Sequence, residues 1–169
     1  MKNRFFKQLG TNFITVVVFS VLIFSLPSCN KNKPLLDETR TFANNNWNYD
    51  QRFVVFQKQI EASEQPYEIY LDLDLEKDLE LDEFPVTVSI YSDKGEETHK
   101  QVIFYFPVVA DNKMVAPKGP KILTKLVYSE KYFNTSGTYT FKLLRKGSKY
   151  DLYGIKNLRF RVQPKTVTE

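Results

Sequence analysis

From Tyr67 to Glu76 apolar and polar side chains alternate at every step. Tyr67, Ile69, Leu71, Leu73 and Leu75 point one way; Glu68, Tyr70, Asp72, Asp74 and Glu76 point the other. Successive side chains of a strand face opposite sides, so a period of two specifies a strand with one buried face. The pattern returns at Phe84, Val86, Val88 and Ile90, and again at Val102, Phe104, Phe106 and Val108. It recurs at Tyr139, Phe141 and Leu143, and at Ile155, Leu158, Phe160 and Val162, with Phe53 to Ile60 as an earlier candidate. Turn signals punctuate these runs at Gln65-Pro66, Asp93-Lys94-Gly95, Ala116 to Pro120, Ser136-Gly137 and Gly147-Ser148. No amphipathic helix longer than two turns is visible. The expectation is an all-β fold, an antiparallel β-sandwich. Leu75 to Glu83 reads either as one helical turn or as an acidic hairpin tip.

The first residues have a different grammar. Lys2, Arg4 and Lys7 precede an almost wholly apolar run from Phe13 to Leu26, with no acid before Asp37. As a helix that run would span only about 21 Å, short of a ~30 Å hydrocarbon core, which suits a cleaved signal better than a permanent span. Leu26-Pro27-Ser28-Cys29 follows and resembles the bacterial lipoprotein signal, whose Cys is acylated and becomes the mature N-terminus. The expected organisation is a lipoprotein signal peptide at 1–28, a lipidated Cys and polar tether at 29–41, and one sandwich domain at 42–169. Because several acyl chains hold a protein essentially permanently, Cys29 would anchor the domain to a membrane. Cys29 is not followed by Asp or by an acidic run, which favours a periplasm-facing position on the outer membrane.

Few residues offer chemistry. One Cys and one His rule out a disulfide framework, a Cys-cluster zinc site and a two-His metal motif. Asp72, Asp74 and Glu76 could be a Ca²⁺ site or a hydrolytic carboxylate pair. Side chains two residues apart on a strand stand almost ~7 Å apart, however, and a solvated strand face is the expected reading. His99 lies in a very polar stretch and is expected at the surface. Neither a catalytic residue nor a cofactor or metal site is expected, and no small-molecule substrate is evident. Trp47 and Tyr49, flanked by Asn44, Asn45, Asn46 and Asn48, could make a sugar-stacking platform. The competing and favoured reading makes Trp47 a core anchor where the chain enters the sandwich.

Charge is segregated. Residues 64–97 carry twelve acids and two lysines, whereas residues 113–165 carry thirteen basic residues and two acids. Of the formal net charge of +4, Lys2, Arg4 and Lys7 account for three, so the sandwich itself is nearly neutral. If the two stretches form neighbouring strands they neutralise each other. If they lie on opposite faces, Arg145, Lys146, Lys149, Arg159 and Arg161 form the core of a basic partner site. Nucleic acid is not expected, since the leader takes the chain out of the cytoplasm.

The layout resembles the gliding motility lipoprotein family of the GldH type, found in Bacteroidetes. The resemblance rests on Cys29, on Asn45-Asn46-Trp47 before the first strand, and on Tyr67-Glu68-Ile69-Tyr70-Leu71. It continues through Gly137-Thr138-Tyr139-Thr140-Phe141 and Leu152-Tyr153-Gly154-Ile155-Lys156-Asn157-Leu158. It implies a non-enzymatic, palmitate-anchored envelope protein that works through protein partners in gliding or the associated secretion machinery, with no catalytic residues to carry over. The alternative expectation is a lipid-anchored carbohydrate- or adhesin-type binding module.

Overall fold

The computed structural model describes residues 33–76, 83–106 and 121–166. The leader, Cys29, the acids Asp78, Glu80 and Asp82, and the Ala116 to Pro120 loop signal lie outside the described residues.

Eight strands form in chain order: β1 (Leu36–Thr41), β2 (Phe53–Ile60), β3 (Ser63–Leu75), β4 (Glu83–Ser92), β5 (Glu97–Tyr105), β6 (Lys121–Phe133), β7 (Gly137–Arg145) and β8 (Ile155–Pro164). A short 3-10 turn at Ala43–Asn45 follows β1. The strands make two four-stranded sheets, ordered β1-β8-β3-β6 and β2-β7-β4-β5, and every pairing is antiparallel. This is the expected antiparallel β-sandwich.

The alternating apolar residues supply the core. Ile69, Leu71 and Leu73 of β3 and Leu158, Phe160 and Val162 of β8 face Val86 and Val88 of β4 and Phe141 and Leu143 of β7, all fully buried. Rings cross between the sheets: Phe160 stacks on Phe56 at 5.8 Å and tilts against Phe141 at 5.3 Å. Such pairs contribute about 0.5–1.5 kcal/mol each beyond the area they bury.

Four expectations need correcting. The sandwich begins at Leu36, inside the stretch read as tether, because β1 hydrogen-bonds along β8. Strand β6 has no clean alternation and escapes a periodicity search, since its register against β3 shifts between Tyr67 and Tyr70. Gln65-Pro66 is no turn; β3 runs through it, and the Pro66 carbonyl accepts from the Lys165 amide at 2.9 Å. Strands β3 and β4 belong to different sheets, so Leu75 to Glu83 joins sheets instead of closing a hairpin.

The registers define two ends. Leu36, Ser63, Ile60, Gly137 and the Asp93-Lys94-Gly95 turn share one, whereas Thr41, Trp47, Arg145 and Leu152 share the other. At the first end the arch from β6 to β7 crosses between sheets. Tyr139, fully buried against Phe133, closes it by donating its hydroxyl to the Thr135 carbonyl at 3.0 Å. This is the tyrosine-corner device of many β-sandwiches.

Candidate functional site

Trp47 is not exposed. Its indole is 0% accessible, stacks on Phe42 at 4.9 Å, meets Phe84 edge-on at 5.5 Å, and donates Nε1–H to the Gln51 carbonyl at 2.8 Å. The neighbouring asparagines are equally committed. Asn44 and Asn45 adopt left-handed conformations (φ 54° and 52°) that few other side chains tolerate. Asn45 donates to Glu76 at 2.7 Å, and Asn46 donates to Asp151 at 2.7 Å while accepting the Leu152 amide at 3.0 Å. The asparagines pin a turn against the 151–154 segment, and no Trp47 face is left for a sugar. The platform drawn from sequence therefore does not form around Trp47.

Arg145 is also inside, at 4% exposure. Its Nη1 donates to the carbonyls of Trp47 (2.9 Å) and Tyr150 (3.1 Å), and its Nη2 to that of Lys149. Among the described residues Nε finds no partner, and burial lowers the side chain's pKa from its ordinary value. Arg145 is thus a staple that ties the 146–152 loop to the Trp47 segment. Lys146 and Lys149 are exposed on that loop.

Beside this staple lies a cluster that the linear pattern does not announce. Tyr49, 41% exposed, stacks with Tyr150 at 6.3 Å, and the Arg52 guanidinium sits 4.4 Å above its ring. Arg52 also lies 5.1 Å from the Phe53 ring centre, and the Lys142 ammonium lies 4.1 Å from it. Only the pairing of β2 with β7 brings residues 49–53 next to 142–150. Exposed Tyr and half-buried Arg interleaved in this way match the composition of protein-interface hot spots.

Arg159 and Arg161 lie elsewhere, on the solvent side of the first sheet, away from Arg145, so the five basic residues do not form one patch. Arg161 makes a bidentate pair with Asp72 (2.9 and 3.1 Å) and lies 5.0 Å over the Tyr70 ring. Arg159 donates twice to Asp37 at 2.6 Å, and this pairing holds the Asp37 carboxyl below its ordinary range. Asp72 also accepts from Thr124 at 2.7 Å and is only 5% exposed; Asp74 accepts from Asn157 at 2.8 Å. Asp72 and Asp74 are therefore partnered and not simply solvated, whereas Glu76 is exposed as expected and Asp78, Glu80 and Asp82 lie outside the described residues. Acidic β3 lies between β8 and β6, so this part of the acidic stretch neighbours basic strands, with Asp72 and Arg161 paired across them. His99 is exposed on β5, between Glu97 (2.7 Å) and Ser89 (2.8 Å).

Comparison with known families matches the model described as GldH lipoprotein to residues 35–162, from the residue before β1 into β8. No curated protein matches the chain.

Proposed function

Because the chain belongs to the GldH lipoprotein family, we propose that it is a non-catalytic component of the gliding-motility and envelope secretion machinery, acting through protein contacts. In this reading Cys29 carries the lipid and holds the sandwich at the outer membrane, facing the periplasm. The family match, which spans both sheets, carries the proposal. The surface cluster of Tyr49, Arg52, Phe53 and Tyr150 supports it, since its rings and guanidinium have the make-up of a protein-binding hot spot. Lys142, Lys146 and Lys149 nearby favour an acidic partner surface.

The test is deletion of the gene in the source organism, with complementation by wild type, Cys29→Ala, and a Tyr49→Ala/Arg52→Ala double variant. Deletion abolishes spreading motility, wild type restores it, and neither variant does. Radiolabelled palmitate enters the wild-type protein and is absent from Cys29→Ala. Normal spreading and secretion after deletion would overturn the proposal. Full complementation by a folded double variant would remove the cluster from it.

A further inference from the structure

We propose that a depression on the solvent side of the first sheet binds a neutral glycan. The depression has a volume of about 320 Å³ and is lined by side chains of all four strands of that sheet: Thr39, Asp72, Asp74, Ile122, Asn157 and Arg159 among them. That volume falls at the small end of ligand pockets, about 300–1,000 Å³, which suits a short stretch of sugar rings. The proposal is independent of the motility reading; it concerns a different face and a different ligand.

Charge fixes the class of ligand. The lining contains two arginines, Arg159 and Arg161, and two carboxylates, Asp72 and Asp74. Arg161 is held by Asp72, and Arg159 by Asp37 at the rim. An anionic ligand would have to compete with carboxylates already in place, and a cation would meet two guanidinium groups, its one carboxylate without an arginine being Asp74, which accepts from Asn157. An uncharged ligand displaces neither.

The remaining hydrogen-bonding capacity fixes its functional groups. Arg159 uses Nε and Nη2 on Asp37, which leaves Nη1 without a partner among the described residues. Asn157 accepts from Thr41 at 2.8 Å and gives one amide hydrogen to Asp74 Oδ2, leaving the second hydrogen and Asp74 Oδ1 open. Donors and acceptors therefore alternate across one face, and a vicinal diol, which both donates and accepts, satisfies such a set. Ile122, 64% exposed, flanks them and offers an apolar surface to the C–H face of a pyranose.

The site is also rigid. Three hydrogen bonds fix Asp72, and Arg161 is packed over Tyr70. Little side-chain freedom remains to be lost on binding, which raises affinity for a given set of contacts.

The experiment uses the full-length protein in an amine-oxide detergent free of sugar headgroups. Cellotetraose, maltotetraose and chitotetraose are titrated by calorimetry up to about 10 mM, high enough to detect a Kd on the order of 1 mM. At least one binds, and Asp74→Ala and Asn157→Ala each weaken it by about five- to tenfold, as expected for a lost hydrogen bond. Ile122→Asp, which leaves the polar lattice intact, also weakens it, so the test survives if Asn157→Ala fails to fold. Lys156→Ala, outside the depression, has no effect. No binding by any of the three would overturn the proposal, as would binding that persists in both Asp74→Ala and Ile122→Asp. Tighter binding of polygalacturonate than of the neutral probes would overturn the assignment of an uncharged ligand.

Discussion

Trp47 shows how one residue serves as a keystone where the chain crosses from β1 in one sheet to β2 in the other. Its ring touches Phe42 and Phe84, its indole N–H meets Gln51, and its carbonyl receives the buried Arg145 guanidinium. Trp47→Ala removes the ring and loosens the Arg145 contacts at once. We expect a loss of about 3–5 kcal/mol, read as a lower midpoint in urea unfolding. An unchanged midpoint would show that the indole is dispensable to the core. The aromatic character and position of Trp47 are legible in the sequence, and a core role is the simpler reading of them. Arg145 is not legible: six basic residues in 145–161 look alike in one dimension. Only the closure of the 146–152 loop around a guanidinium separates Arg145 from exposed Lys146.

Among the elements, β3, β4 and β8 were readable because each buries one face and leaves the other in contact with water or with polar partners. Strand β6 was not, because its shifted register against β3 breaks the period of two. Strand β1 has a single buried apolar residue, Leu36, and is defined by its ladder to β8, which no local pattern encodes. The polar lattice above β3 and β8 depends likewise on which strands are neighbours. Among the connections, the arch from β6 to β7 makes the sharpest demand on sequence. A Cβ on Gly137 would lie 2.1 Å from Asp93 Oδ1, whose partner oxygen accepts the Thr138 amide at 3.0 Å. Gly137→Ala must push that carboxylate aside, and we expect a destabilisation of about 1–3 kcal/mol by denaturant titration. No change would mean that the β4–β5 turn yields freely.

For the whole molecule, one contribution to the alkaline loss of stability comes from the buried Tyr139 hydroxyl. Burial raises the Tyr139 pKa above its ordinary value, because the phenolate would be desolvated. The unfolded chain releases this proton near pH 10, and the folded chain does so only at higher pH. Stability associated with Tyr139 is therefore intact below about pH 10 and lost as pH rises through the folded-state value. Thermal unfolding from pH 8 to 11 checks this. The wild-type midpoint falls on the alkaline side, and Tyr139→Phe, less stable at pH 8 by about 0.5–1.5 kcal/mol, falls less steeply. Equal slopes would place the alkaline loss on other groups.

The pairing of β1 along β8 has a mechanical consequence. Tension entering ahead of Leu36 and resisted by β8 runs parallel to the strands, so it loads the ladder from Leu36 to Thr41 in shear. Its hydrogen bonds then share the force and must fail together, whereas a pull across the strands would peel them one at a time.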